Sequence, residues 1–243
     1  MTPPFLTALL STRTAPFREQ FVRACLTKEL DAHAIPHFLD PHGNIVVGAR
    51  SKAEYVKALK RGTAAQPARL FIAHMDHPGF HATALNPDST LQATWHGGSP
   101  TVHVEGAEVW LRSTKDPSWE GRGTLRSVTK MESGRGLATA VIALTAPLPA
   151  AIPPSTLFGS FRFRAVCGED GEMIRANACD DLVGCYAILE AARSVFQKSK
   201  PKTGEPPFLG LLPRAEEVGF IGTLAHLELG WWKTAKTAPL VVS

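Results

Sequence analysis

The sequence predicts an α/β protein with a mixed sheet, interrupted by a small β-barrel-like domain, and three observations carry that prediction. Stretches near both ends alternate between helix-like and strand-like apolar spacing. Arg69-Leu70-Phe71-Ile72-Ala73 is a short, continuously apolar run of the kind that buried parallel strands use. From Phe80 to Phe163 the pattern changes to short alternating runs separated by glycine and proline, including Pro147, Pro149, Pro153 and Pro154. The expected division is therefore 1–80 for the first part of the main domain, 81–163 for the insertion and 164–243 for the second part.

Taken in order, residues from about Pro16 to Ala32 place Phe21, Val22, Cys25 and Leu30 at helical spacing. Pro36-His37-Phe38-Leu39-Asp40 leads into Pro41-His42-Gly43-Asn44-Ile45-Val46-Val47-Gly48, which reads as a turn followed by a strand. A second helix fits Ser51 to Lys60, with Ser51 as its N-cap. His74 then lies at the C-terminal end of the apolar strand, where open α/β sheets place their ligands. Within the insertion, Thr101–Val104, Ala107–Leu111, Gly123–Val128 and Leu137–Leu144 read as strands. After it, Asp181 to Phe196 reads as a helix, Pro207–Leu212 as a strand, Glu217 to about Leu229 as a turn or helix, and Ala238 to Ser243 as the start of another strand. No internal repeat is visible.

A chain of 243 residues, 44% hydrophobic and 20% charged, has the composition of an ordinary globular protein. Its net charge of +4 is spread over scattered residues. The densest basic group, Lys198, Lys200 and Lys202, sits in a loop-like stretch, so no nucleic-acid partner is expected. The four cysteines, Cys25, Cys167, Cys179 and Cys185, lack CxxC spacing and do not form a zinc knuckle or a disulfide framework. The first residues lack the basic start of a signal peptide, and no run approaches the ~20 apolar residues of a membrane span. A cytoplasmic protein without a membrane partner is the expectation.

Three short motifs bear the chemistry. His74 and Asp76 are two apart at a strand end, so they leave on one face; a histidine there can bind a metal while the carboxylate orients its ring. Taken alone, the pair reads more readily as a core histidine capped by a neighbouring carboxylate. Asp180 and Asp181 stand where a helix begins, a position that suits an N-cap and a first-turn acid. The alternative is that Asp180 bridges two cations about 3.5–4 Å apart. Glu216 and Glu217 follow a strand; adjacent side chains diverge, so one could hold a metal while the other handles a proton. Each motif alone has an ordinary structural explanation. Three of them at strand ends of one α/β pattern are what a two-metal hydrolase requires.

The order His-x-Asp, Asp-Asp-x-x-Gly and Glu-Glu-x-Gly resembles the co-catalytic metallopeptidases. Ala73-His74-Met75-Asp76-His77-Pro78-Gly79-Phe80 and Cys179-Asp180-Asp181-Leu182-Val183-Gly184-Cys185 look most like the tetrahedral, glutamyl-type aminopeptidase family. Gly97-Gly98, Val104-Glu105-Gly106-Ala107-Glu108-Val109 and Gly121-Arg122-Gly123 resemble that family's inserted β domain, and Asp40-Pro41-His42-Gly43-Asn44 its early turn. The resemblance spans nearly the whole chain. It implies a zinc-peptidase catalytic domain, an aminopeptidase acting on peptides, and two divalent metal ions, zinc with cobalt or manganese as alternatives. It also implies a homo-oligomer. Residue by residue, it makes His74 and Glu217 metal ligands, Asp180 the bridge, Glu216 the general base and Asp76 the residue orienting His74.

The chain departs from the pattern at His77 and Pro78, where the family shows Glu-Ile, and at Leu182, where it shows Arg. The family also supplies a carboxylate after the strand that here ends at Val242, and a later histidine. His226 and Glu228 come too early to replace them and read as helix-surface residues. On that reading the chain is C-terminally truncated and, as it stands, catalytically incompetent. Two other readings remain open: a non-catalytic paralogue serving as scaffold or assembly partner, and a related metal-dependent deacylase. A β-barrel insertion would favour the aminopeptidase, an α+β sandwich the deacylase.

Overall fold

The structure is a computed structural model that describes residues 2–163, 167–170, 173–198 and 207–243. The chain divides into two compact units. Met1–Thr12, Gln20–Met75 and Ala178–Ser243 form one; Arg13–Glu19 and Asp76–Asn177 form the other.

The first unit opens with helix α1 (Pro4–Leu10) and helix α2 (Gln20–Ala32), whose Val22, Leu26 and Leu30 are buried. The helix expected from Pro16 starts only at Gln20. Phe17 has a left-handed backbone (φ 64°), and the Arg18 amide closes a turn onto the Ala15 carbonyl. Strands β1 (His37–Leu39) and β2 (Ile45–Val47) form an antiparallel pair around the predicted turn. Helix α3 (Lys52–Arg61) is capped by Ser51, which accepts from the Glu54 amide at 3.3 Å, while the Glu54 carboxylate returns to the Arg50 amide at 2.8 Å. Lys60 and Arg61 lie in its last turn, where cations suit the helix dipole. Strand β3 (Arg69–Ile72) comes next.

The chain then enters the second unit. Strands β4 (Gly79–Leu85), β5 (Thr90–His96), β6 (Glu108–Ser113), β7 (Glu120–Lys130), β8 (Leu137–Leu144) and β9 (Leu157–Phe161) close into a barrel in the order β4-β5-β8-β7-β6-β9. Every pairing in it is antiparallel. Closure leaves no free sheet edge. The interior is filled by Phe80, Leu91, Trp95, Val109, Leu111, Leu125, Ile142 and Leu157. Where β9 crosses β6, only glycine fits at 159, since a Cβ there would meet the Trp110 carbonyl oxygen and the Phe80 ring. Thr101–Val104 is not a strand: the Ala107 amide bonds back to the Val104 carbonyl in a reverse turn that buries Val104 and leaves Val102 exposed. A separate hairpin, β10 (Cys167–Asp170) and β11 (Met173–Ala176), completes this unit.

The first unit resumes with helix α4 (Cys179–Lys198), strand β12 (Phe208–Leu212), helix α5 (Ile221–Glu228) and strand β13 (Leu240–Val242). Its sheet runs β1-β2-β12-β3-β13. Strand β12 is antiparallel to β2 and parallel to β3, and β13 is parallel to β3. The sheet is therefore mixed, and the molecule combines it with a closed six-stranded barrel, as the fold-class reading expected. Among the described residues, no helix is long and apolar enough to cross a membrane.

Candidate metal centre

Strands β3 and β12 run in parallel register, with Ile72 opposite Leu211, so both chains leave the sheet on the same side. The ladder continues past the strand ends: the Ala73 amide donates to the Leu211 carbonyl and the Met75 amide to the Pro213 carbonyl. This alignment brings His74 to the turn that carries Glu216 and Glu217. One ligand atom from each of these three residues lies within 4.8 Å of the other two, with no ion present. His74 Nε2 is 3.5 Å from Glu216 Oε2 and 3.2 Å from Asp180 Oδ1. The His74 side chain is 11% exposed and that of Asp180 84% exposed, so the imidazole is sunk and the aspartate overlies it from the solvent side.

The acidic pair at the start of α4 divides its labour. Neither Asp180 nor Asp181 has helical backbone angles, and the peptide bond between them is cis. Asp181 Oδ1 accepts the Gly184 amide at 3.1 Å, the bond expected of a helix cap. A Cβ at 184 would fall 2.1 Å from Asp181 Oδ1, so any larger residue must push that carboxylate aside. Burial raises the Asp181 carboxyl above its ordinary pKa, against the opposing pull of the His74 imidazole and backbone amide. Asp180 is left facing His74. Asp181 thus makes the capping bond that the motif suggested, while Asp180 lies against His74.

The Cys185 thiol lies 3.2 Å from the His74 carbonyl oxygen and 3.5 Å from that of Ala73, beneath the strand end. Cys25, Cys179 and Cys185 are free thiols. Asp76 is fully buried and is the first residue of the second unit's main segment. A cavity of about 330 Å³ adjoins the cluster, lined by His74, Asp181, Glu216, Phe220, Thr223 and Val241. A larger cavity of about 660 Å³ lies at the opposite ends of the same strands, beside Arg69, Phe208 and Leu240. Its described lining contains no carboxylate, so it lacks the chemistry of the first.

One expectation is overturned. His226 is not a helix-surface residue: it is 1% exposed. Its Nδ1 donates to Asp40 Oδ2 at 2.9 Å and its Nε2 lies 3.1 Å from the Tyr55 hydroxyl, with both partners buried. Helix α5 is short, and Tyr55 and Trp231 pack edge-on against the imidazole and shield it. Glu228 is exposed, as expected. The Asp40 carboxyl is held below its ordinary pKa: burial pushes it up, but hydrogen bonds from His226 and Asn44 outweigh that push. Burial beside Asp40 drives the Tyr55 hydroxyl pKa upward.

Neither a protein-family model nor a curated protein matches the sequence. Solved structures do. An aminopeptidase from the archaeon Desulfurococcus kamchatkensis is 20% identical, with a TM-score of 0.66 over 91% of this chain and 57% of its own. The TET1 peptidase of Pyrococcus horikoshii, described as assembling into a tetrahedron or a large octahedral shell, is 19% identical. Its TM-score is 0.64 over 90% of this chain and 62% of its own. The TET aminopeptidase of a marine-sediment thaumarchaeote is 17% identical, with a TM-score of 0.64 over 92% and 62%. The chain has the fold of these aminopeptidases, and it spans less than two thirds of their length.

Proposed function

We propose that the protein is a two-metal aminopeptidase that removes residues from the N-termini of peptides. The observation that carries the reading is the convergence of His74, Glu216 and Glu217 at the ends of β3 and β12, with Asp180 Oδ1 3.2 Å from the same imidazole. The donor set fits divalent ions: one imidazole nitrogen and several carboxylate oxygens, the hard and borderline ligands that zinc, cobalt and manganese accept. Carboxylates brought this close repel one another unless a cation offsets them. The closed barrel is the feature that favours an aminopeptidase over a deacylase.

In this reading His74, Asp180 and Glu217 hold the metals, with Asp180 as the shared ligand. Bound divalent ions would supply Lewis-acid polarisation of the scissile carbonyl and make a water molecule easier to deprotonate. Glu216 accepts the proton from the attacking water at a carboxylate oxygen and returns it to the departing amine. Asp76 keeps the role the resemblance implies, orienting the imidazole of His74. Assembly into a homo-oligomer belongs to the same proposal, by analogy with the shells described for the TET1 peptidase.

The test is metal content together with turnover of aminoacyl amide substrates by the intact protein before and after chelation. Activity is expected to vanish on chelation and return with zinc, cobalt or manganese. Glu216→Gln should retain metal and slow turnover by ~10²–10⁴-fold, the usual contribution of a positioned base. Turnover that survives exhaustive chelation would sink the mechanism. Loss of metal in Glu216→Gln but not in Glu217→Gln would reverse the assignment of the pair.

A further inference from the structure

We propose that Asn44 is a positioning residue for the turn that carries Glu216 and Glu217, held in place by a buried Asp40–His226 pair. The inference rests on the metal-site reading above and adds to it what sets the geometry of the carboxylates.

The turn is closed by its own backbone hydrogen bonds but carries strain. Ala215 and Phe220 have left-handed backbones (φ 51° and 59°), which side-chain-bearing residues adopt only at a cost, and Gly219 has φ 105°. A segment with strained residues on both sides of its functional side chains persists when its surroundings over-determine it. The ends of the turn are paired by the Gly222 amide donating to the Arg214 carbonyl at 2.9 Å and the Ile221 amide to the Ala215 carbonyl at 3.1 Å.

The Asn44 side chain lies across that closure. Its Oδ1 accepts the Arg214 amide at 3.0 Å, and its Nδ2 donates to the Gly222 carbonyl at 2.9 Å. One amide thus grips both ends of the turn. Its orientation is unambiguous, because a backbone N–H can only donate and a carbonyl can only accept. The second Nδ2 proton goes to Asp40 Oδ2 at 2.8 Å, and Asp40 Oδ1 in turn accepts the Asn44 and His42 amides. His226 Nδ1 also donates to Asp40 Oδ2. Asn44 is fully buried, so water cannot replace these bonds. Two further contacts tighten the fit. The Arg214 guanidinium donates back to the His42 carbonyl at 3.2 Å. A Cβ on Gly222 would fall 2.3 Å from the Arg214 oxygen and 2.6 Å from Asn44 Oδ1, so the clamp closes only around glycine.

The experiment compares wild type, Asn44→Ala, Asn44→Asp and a core control, Leu59→Ala, at a temperature where each is folded. Cobalt is the probe, with affinity measured by chelator competition and geometry by the visible ligand-field spectrum. Asn44→Ala should weaken cobalt binding by ~10–100-fold, the size typical of lost support behind a metal ligand, and alter the spectrum. Asn44→Asp keeps the acceptor for Arg214 but sets a second carboxylate oxygen against Asp40 Oδ2 and the Gly222 carbonyl, so it should weaken cobalt binding at least as much as alanine. Leu59→Ala should lower the melting temperature and leave affinity and spectrum unchanged. If the control and the Asn44 variants move metal binding alike, Asn44 is merely structural and the inference fails. If wild type binds cobalt and the Asn44 variants bind it identically, the inference alone fails. If wild type binds no cobalt, the metal reading fails and takes the inference with it. Should neither Asn44 variant fold, amide exchange of wild type decides: protection of Gly219 to Gly222 equal to that of the buried Asn44 amide supports the clamp, and fast local exchange overturns it.

Discussion

Replacing His226 with leucine tests the buried pair directly. The substitution roughly keeps the apolar volume beside Tyr55 and Trp231 but removes the donor to Asp40 Oδ2, leaving that carboxylate only Asn44 and the backbone amides of residues 42 and 44. Both side chains of the pair are essentially inaccessible, 1% and 0%. Removing one partner of such a pair costs about 3–5 kcal/mol, chiefly because the remaining charge stays buried. At about 2–4 °C per kcal/mol for a chain of this size, the melting temperature should drop by ~6–20 °C. The pH dependence has a definite sign. The Asp40 carboxyl is held below its ordinary value, so its contribution is complete above the unfolded carboxylate pKa of about 4 and is lost as pH falls through the lower folded value. Urea unfolding of wild type and His226→Leu should therefore show a gap at neutral pH whose Asp40 part closes in acid below about pH 4. The reasoning is refuted by a gap below about 1 kcal/mol at pH 7, or by a cycle with Asp40→Ala in which the two losses simply add.

Two further perturbations bear on other parts of the molecule. In the barrel unit, burial and the neighbouring His96 and Arg18 push the His81 pKa down to about 4, and its Nε2 lies 2.8 Å from the Pro16 carbonyl. Its NMR titration should have a midpoint near 4, and the barrel should lose stability between pH 6.5 and 4, because the unfolded chain takes up the proton first; a midpoint near 6.5 would refute this. Asp181→Ala would remove the acceptor of the Gly184 amide at the start of α4. A loss of about 1–2 kcal/mol is expected by urea unfolding, and wild-type stability in that variant would show that Asp181 is not a cap.

Much of the fold was legible because its signals are local. The Ile45–Val47, Phe208–Leu212 and Leu137–Leu144 strands are apolar or alternating runs between turn residues, and the Ser51 cap announces α3. Errors arose where a local pattern lacked a partner. Thr101–Val104 alternates as a strand should, but a strand exists only when another strand accepts its hydrogen bonds, and β4 and β9 close the barrel without it. The helix expected from Pro16 fails because Phe17 takes a left-handed backbone, which apolar spacing does not report.

The convergence of His74 with Glu216 and Glu217 was legible for the opposite reason: these candidate ligands recur at strand ends, and that position is itself a sequence pattern. His74 and Glu216 could be paired in advance because parallel strands deliver the residues after them to one edge of the sheet. The groups that support those ligands could not be read the same way. Asp40, Asn44, Tyr55 and His226 come from one turn and two helices far apart in sequence, and each has an ordinary local explanation. Asp40 and Asn44 looked like turn residues, which they are, and His226 like a polar residue on a short helix. Only burial separates a turn aspartate in water from one enclosed with an imidazole, and burial is a property of the assembled fold. Candidate ligands can therefore be found by where strands end, whereas the buried groups behind them can be found only by asking where each buried donor and acceptor goes.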